Sequence, residues 1–271
     1  MINNYAPNTL ERYELKFMIS DQMIGPISDF VSIYCDFDKH AQMTEDGFYH
    51  VISLYLDSPN YLFLRNREEN CDNRFNMRIR TYNNQDGLPC FFELKQKCGN
   101  IIRKYRTIIP DQDWQNVIEC TKKDRTREAI DAVHIKSFQS MVKTYDARPK
   151  VLTDYKRMAF ISNIDPYARV TFDKELRYLA EDKFNLAADE NMLPYDNPTA
   201  FNPGCNIILE LKCYASRVPQ WMLDLIKHFD LRSQRFSKYA GSMMEVLSYS
   251  NGNLNRQSRP LFSNPWAGNL K

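Results

Sequence analysis

The chain has 271 residues, an apolar fraction of 43 %, an aromatic fraction of 13 % and a formal net charge of +2 from 36 basic and 34 acidic side chains. That is enough apolar material for a real core, and no apolar run approaches the length of a membrane-spanning helix. With eight Gly and neither a GxGxxG nor a GxxxxGK(S/T) run, a glycine-rich phosphate loop is excluded, so any phosphate site must use side chains.

In chain order, residues 1–10 are polar, and 12–19 alternate as a strand, with Arg12, Glu14 and Lys16 against Tyr13, Leu15 and Phe17. Ser20 fits an N-cap for a helix over 21–34. Residues 36–47 read as a polar loop, and 48–57 as a buried strand stopped by Ser58-Pro59-Asn60. Strands follow at 74–83, 89–97 and 102–109, with turns at 83–87 and 98–100. In the first of these, Arg74, Asn76, Arg78, Arg80 and Tyr82 alternate with Phe75, Met77, Ile79 and Thr81; in the second, Glu93, Lys95 and Lys97 alternate with Phe92, Leu94 and Gln96. Helical stretches are expected at 111–122 and 125–145, then strands at 151–162 and 167–174. The stretch 181–204, with Pro194, Pro198, Pro203 and Gly204, reads as a loop or lid. The strand pattern resumes at 205–214, where Glu210 and Lys212 alternate with Leu209, Leu211 and Cys213. Helices follow from Pro219 and over 234–248, and the polar tail 249–271 is expected to be disordered.

Each alternating run has one apolar and one ionic face. A sheet with one wet side would suffice for any single run. Recurrence of ionic faces at both ends of the chain points instead to strands that close on one another. The fold class expected is α+β, a closed antiparallel eight-stranded β-barrel or tunnel with flanking helices, as a single domain over 11–248. Buried charges need partners, so such a lumen calls for a polyanion. The seven Cys are odd in number and include no CxxC, which suits reduced thiols in a cytoplasmic protein. No charged-then-apolar leader opens the sequence.

The ordered set Arg12-Tyr13-Glu14-Leu15-Lys16-Phe17, Tyr55-Leu56-Asp57, Arg78-Ile79-Arg80-Thr81-Tyr82 and Glu93-Leu94-Lys95-Gln96-Lys97 resembles the catalytic domain of the vacuolar transporter chaperone (VTC) polyphosphate polymerases. Tyr155-Lys156-Arg157-Met158-Ala159-Phe160, Arg169-Val170-Thr171-Phe172-Asp173, Glu210-Leu211-Lys212 and Ser237-Lys238-Tyr239 continue the likeness, which runs from about 11 to 245. That family belongs to the triphosphate tunnel metalloenzymes. The resemblance implies that the γ-phosphate of ATP is added to a growing polyphosphate chain, with Mn²⁺ or Mg²⁺. By position it implies Arg78, Arg80, Lys95, Arg157 and Lys238 as catalytic. It implies Lys16, Arg67, Lys97, Lys104, Arg106, Tyr155, Arg169, Lys212 and Ser237 as substrate-binding, and Glu210, Glu93 and Glu14 as metal ligands.

Triphosphatases and adenylate cyclases of the superfamily open with Glu-x-Glu-x-Lys. Arg12 stands at the first Glu position here, which resembles the polymerase branch and counts against simple hydrolysis. Fungal polymerases carry a regulatory SPX domain before this region and membrane helices after it, and neither is read in this sequence. Regulation by inositol phosphates is therefore not expected to transfer, and a separate membrane subunit is an open partner, with the chain peripheral to the membrane.

Arg67 aside, the inward candidates comprise eleven basic residues and, with Asp173, four acidic ones, +7 locally against −5 for the remainder. An acidic exterior disfavours duplex nucleic acid, which needs an exposed basic surface. Phe17, Phe75 and Phe92 fall on the face opposite the cations, which counts against base stacking by a nucleic-acid-binding barrel. A triphosphatase of the same superfamily, or a protein that binds polyphosphate or nucleotide without turnover, are the alternatives to a polymerase.

Overall fold

The computed structural model describes residues 12–83, 87–98, 101–111, 114–118, 129–165, 167–195 and 206–250. The turns expected at 83–87 and 98–100 lie partly outside these residues. So do the first expected helix beyond 118, the start of the second, the Pro-rich end of the 181–204 stretch, and the tail from 251.

Ten strands are described: β1 (Arg12–Ile19), β2 (Cys35–Phe37), β3 (Tyr49–Asp57), β4 (Asn73–Tyr82), β5 (Cys90–Cys98), β6 (Ile101–Ile109), β7 (Arg148–Ser162), β8 (Arg169–Ala180), β9 (Leu193–Pro194) and β10 (Ile207–Tyr214). The helices are α1 (Ile24–Ser32), α2 (Leu62–Glu68), α3 (Trp114–Ile118), α4 (Ala129–Tyr145), α5 (Gln220–His228) and α6 (Lys238–Ser250). The strands form one antiparallel sheet in the order β1-β10-β8-β7-β3-β4-β5-β6, with β2 on β7 and β9 on β8.

The sheet curls strongly. Lys95 of β5 donates to Glu14 of β1 at 2.9 Å, although β1 and β5 lie six places apart in the sheet order. Two expectations are nevertheless corrected. There are ten strands rather than eight, and no ladder joins β1 to β6 among the described residues, so the sheet is not a closed barrel. The free edges explain why. The outer edge of β1 is taken by the segment before α6: Phe17 bridges Ser233, and the Gln234 N–H donates to the Lys16 carbonyl at 2.7 Å. At the β6 edge, His134 Nδ1 on α4 donates to the Arg106 carbonyl at 2.8 Å. Edges satisfied by other elements have no call to pair with each other.

The convex face carries two apolar clusters. In one, Ile27 and Val31 of α1 and Trp221, Met222 and Leu225 of α5 pack on Phe17, Phe160, Phe172, Leu209 and Leu211. In the other, Trp114, Phe138 and Met192 pack on Ile52, Leu54, Ile79, Phe92 and Leu94. A third cluster sits on the concave side, where Leu64 of α2 and Tyr239, Ala240 and Met243 of α6 cover Val51, Tyr55, Val151 and Tyr155.

The helix expected over 21–34 is a 3-10 turn at Asp21–Met23 followed by α1, and Ser20 makes no side-chain cap. The polar loop at 36–47 holds most of β2 and a 3-10 turn at Ala41–Met43. β8 runs six residues past the expected end at 174. Glu175 has φ of 53°, and the register against β7 shifts between Asp154 and Lys156. That bulge breaks the period-2 alternation, so the pattern stops while the strand continues.

α2 was not foreseen. It forms because Asp57, fully buried at the end of β3, accepts the backbone N–H of Phe63 at 2.8 Å and of Leu64 at 2.9 Å, capping its first turn. The same carboxylate accepts the Ser58 N–H at 2.7 Å and the Tyr239 hydroxyl at 2.5 Å, which ties α6 to α2. The signal was in the sequence: Asp57-Ser58 and Asn60 stand just ahead of the run Leu62-Phe63-Leu64.

Candidate active site

Residues directly opposite each other in an antiparallel pair share a face. The registers therefore trace one continuous surface. Glu14 of β1 faces Lys212 of β10, which faces Arg169 of β8; Lys16 faces Glu210, which faces Thr171. Asp173 faces Arg157 of β7, which faces Tyr49 of β3. Tyr55 and Ser53 of β3 face Arg78 and Arg80 of β4, which face Glu93 and Phe91 of β5. Glu93 faces Arg106 of β6, and Lys95 faces Lys104. The concave face thus collects the cations from both ends of the chain.

Three carboxylates organise it. Asp173 accepts from Arg157 through two nitrogens, at 2.6 and 2.8 Å, and from Lys238 of α6 at 2.6 Å. Burial disfavours its charge, but Arg157 and Lys238 outweigh burial and draw its pKa down to about 2. Glu93 has one oxygen 2.5 Å from Arg78 and the other 3.0 Å from Lys104 and 3.4 Å from Arg106. Burial again opposes ionisation, and the surrounding cations hold Glu93 well below the carboxylate range. Glu210 lies 2.9 Å from Lys212, 3.6 Å from Lys16 and 3.9 Å from Arg157, and the same balance of burial against cations keeps it ionised.

Arg80 is the exception. It is 6 % exposed, and among the described residues it has no ion-pair partner. Its Nε donates to the Ser53 hydroxyl at 3.2 Å, and another nitrogen to the Tyr155 hydroxyl at 3.3 Å. A guanidinium held out of water by two neutral hydroxyls is a standing demand for an anion.

The other expected residues fall as follows. Tyr155 is buried, with Arg157 and Lys238 over its ring at 5.3 and 4.4 Å. Lys95 pairs with Glu14, and Lys16 lies 3.5 Å from Glu14 and donates to the Phe236 carbonyl at 3.1 Å. Lys97 is half-buried across from Arg74, with no ion pair among the described residues. Arg67 comes from α2; burial lowers its pKa, and it feels the charges of its neighbour Glu68 and of Arg74 and Glu14 on the sheet. Arg169 is exposed, over the Tyr167 ring at 5.8 Å. Ser237 caps α6, its hydroxyl accepting the Ala240 N–H at 3.3 Å, so its position serves the helix that delivers Lys238.

Two carboxylates suit a hard divalent cation. Glu14 and Glu210 share the Lys16 ammonium, at 3.5 and 3.6 Å, and are the pair that would supply carboxylate oxygens to such an ion. Among the described residues no cluster of three ligands forms, so further oxygens would have to come from a phosphate ligand or water. Glu93, with both oxygens taken by cations, has the surroundings of a counterion.

Lys104 gives a pH-dependent signature. Desolvation, helped by Arg78 and Arg80, outweighs Glu93 and holds its ammonium down to about 8. Lys104 is charged below that pH and neutral above it. Tripolyphosphate affinity is therefore expected to fall on the order of tenfold as pH rises from 7 to 9.5. Lys104→Arg, which keeps its charge, should flatten the profile in calorimetric titrations; an identical slope in both proteins would remove Lys104 from the phosphate site.

A family model described as the VTC domain matches residues 11–247. The chain is 26% identical over 229 residues to vacuolar transporter chaperone complex subunit 4 of Trypanosoma brucei brucei, covering 74% of this chain and 29% of that protein. It is 30% identical over 111 residues to the same subunit of Trypanosoma cruzi, covering 40% of this chain and 14% of that protein. The chain thus spans less than a third of the length of the curated relatives it matches. Among solved structures, a Bacillus halodurans protein assigned as an adenylate cyclase aligns at TM-score 0.47 and 11% identity, over 84% of this chain and 95% of that one. A Hippeastrum adenylyl cyclase candidate described as having a dominant triphosphatase activity aligns at 0.42 and 13%, over 91% and 99%. At those values the likeness carries nothing further. No helix among the described residues is long and apolar enough to cross a membrane.

Proposed function

The chain belongs to the VTC domain family, and from that membership and its cation-lined face we propose that it is an ATP-dependent polyphosphate polymerase. The observation that carries this is the buried guanidinium of Arg80, unpaired by any carboxylate among the described residues, with Arg78 near it and Arg157 and Lys238 sharing its Tyr155 contact. In the proposed reaction the bond between the γ-phosphorus and the β,γ-bridging oxygen of ATP breaks. A bond forms from that phosphorus to a terminal oxygen of the polyphosphate, and ADP leaves. The acceptor oxygen is already ionised near neutral pH and needs no strong base, unlike water in a hydrolase. The work left for the protein is alignment and charge neutralisation.

Arg80 and Arg78 would hold the transferring group, with Arg157, Lys238 and Lys95 beside them; Arg suits forked contacts to phosphate oxygens and Lys compact charge. Lys16, Lys212, Lys104, Lys97, Arg106 and Arg67 would line the path of the polyanion. Glu210 and Glu14 would hold Mn²⁺ or Mg²⁺, which when bound supplies further neutralisation of the phosphate oxygens. Residues 11–248 would act as one unit. The relatives are named as subunits of a complex, which supports a role beside partner subunits; a separate membrane subunit would be one such partner.

Incubation with ATP and Mn²⁺, with products resolved on a gel, tests the reading. A ladder of polyphosphate is expected. Orthophosphate and ADP alone would assign a triphosphatase, and tight binding without ATP consumption under any divalent metal would assign a binding protein.

A further inference from the structure

The concave face is not uniform along β4, β5 and β6. At one end of these strands its residues are Arg74 opposite Lys97, then Asn76 opposite Lys95 and Lys104. At the other end Arg80 stands opposite Phe91, which stands opposite Ile108, and Tyr82 follows Arg80 two residues on. Aromatic side chains therefore do share the cationic face, contrary to what Phe17, Phe75 and Phe92 suggested.

Those rings form a ledge. His40, brought in by the turn before β3, stacks on Tyr82 with centroids 4.5 Å apart and planes at 23°. Phe91 meets Tyr82 edge-on at 5.3 Å, and the Arg106 guanidinium lies 4.1 Å above the Phe91 ring. Arg106 also donates to the Tyr82 hydroxyl at 3.4 Å. His40, Tyr82 and Phe91 are all half-buried, whereas Tyr49, Tyr55 and Tyr155 on the same face are 3 % exposed or less. A second half-buried stack, Tyr167 on Tyr214 at 4.9 Å, lies at the end of β10; the His40–Tyr82–Phe91 set is the one that adjoins Arg80.

We propose that the His40–Tyr82–Phe91 ledge is a binding site for the purine base of the nucleotide donor. The inference rests on the polymerase reading and adds to it the place where the donor is told from the polymer. A nucleoside triphosphate joins a flat aromatic base to a chain of anionic groups. This face sets a partly open aromatic stack, capped by a guanidinium, directly beside the unpaired Arg80. Base–aromatic stacking with a nearby Arg is strong enough to bias binding. Polyphosphate has no base and gains nothing from the ledge, so the ledge sorts donor from product.

Calorimetric titrations of wild type, His40→Ala and Phe91→Leu with ATP and with tripolyphosphate, both with Mg²⁺, test it. ATP affinity is expected to fall roughly 5- to 100-fold in the variants, with tripolyphosphate affinity unchanged within about twofold. Equal loss for both ligands would overturn the proposal, since the ledge would then only support the phosphate site. Unchanged ATP affinity would overturn it too, since the base would lie elsewhere. Wild-type protein that binds neither ligand would sink the polymerase reading beneath it. Wild-type protein that binds tripolyphosphate but not ATP would sink that reading as well, since it takes ATP as the donor, whereas unchanged ATP affinity in the variants sinks the base site alone.

Discussion

Arg80→Met is expected to lower turnover with ATP on the order of 10²- to 10³-fold while leaving the melting temperature unchanged or higher. The two halves of that result come from one geometry. Arg80 is 6 % exposed and its donors reach hydroxyls only. Its charge is thus a cost to the empty fold, and an apolar side chain of similar length removes that cost, a change that is often neutral or stabilising. Ser53 and Tyr155 keep rotatable hydroxyls that can find other partners. In the reaction the same guanidinium would meet the transferring phosphoryl group in a site with little water, where a preplaced charge is worth most. Arg157→Met makes the contrast. Arg157 holds Asp173 through two hydrogen bonds, so its loss leaves a buried carboxylate with Lys238 alone and should reduce both turnover and stability. Steady-state kinetics with thermal melts separates the two. An Arg80→Met protein that turns over normally, or melts early like the Arg157 variant, would remove Arg80 from its assigned role.

The largest stability effect is expected at Asp57, away from the proposed phosphate ligands. Asp57→Ala would strand the N–H groups of Ser58, Phe63 and Leu64 and the Tyr239 hydroxyl in a buried place. A lost helix cap costs about 1 kcal/mol, and each further buried polar group left without a partner about 1–3 kcal/mol. With the Ser58 N–H and the Tyr239 hydroxyl as the further groups, the sum is about 3–7 kcal/mol, which corresponds to a melting temperature lower by roughly 10–20 °C for a chain of this size. Tyr239→Phe removes one contact and should cost about 1 kcal/mol. If Asp57→Ala melts no lower than Tyr239→Phe, the carboxylate is not what joins α2 to α6. Because α6 delivers Lys238 to Asp173, loosening this joint should also weaken tripolyphosphate binding.

Much of the concave face was legible in the residues. Alternation on β1, β4, β5 and β10 picks out Glu14, Lys16, Arg78, Arg80, Glu93, Lys95, Glu210 and Lys212, because a strand's period fixes which side chains go together. What alternation cannot report is how a sheet's edges end. Whether β1 meets β6 depends on what else reaches those edges, and the contacts of Gln234 and His134 are long-range facts with no local pattern. Asp57 was hidden for a related reason. It follows a strand, and its partners Phe63, Leu64 and Tyr239 lie up to 182 residues away. The alternation that sets Phe92 opposite Glu93 already puts Phe91 on the cationic side; the ledge was missed because His40 reaches it from a loop and Tyr82 from another strand, which no local pattern reports.

The wall between β1 and the far strands is fastened by side chains, chiefly the Glu14–Lys95 contact, and not by a ladder of backbone bonds. A cylinder stitched all the way round admits a long thread only from its tips. A wall held by an ammonium and a carboxylate can part sideways along its length, and a polyanion inside competes with Glu14 for that same ammonium. On the polymerase reading, occupancy would work against the clasp, and a finished polymer would have a way out that does not require pulling its whole length through a ring.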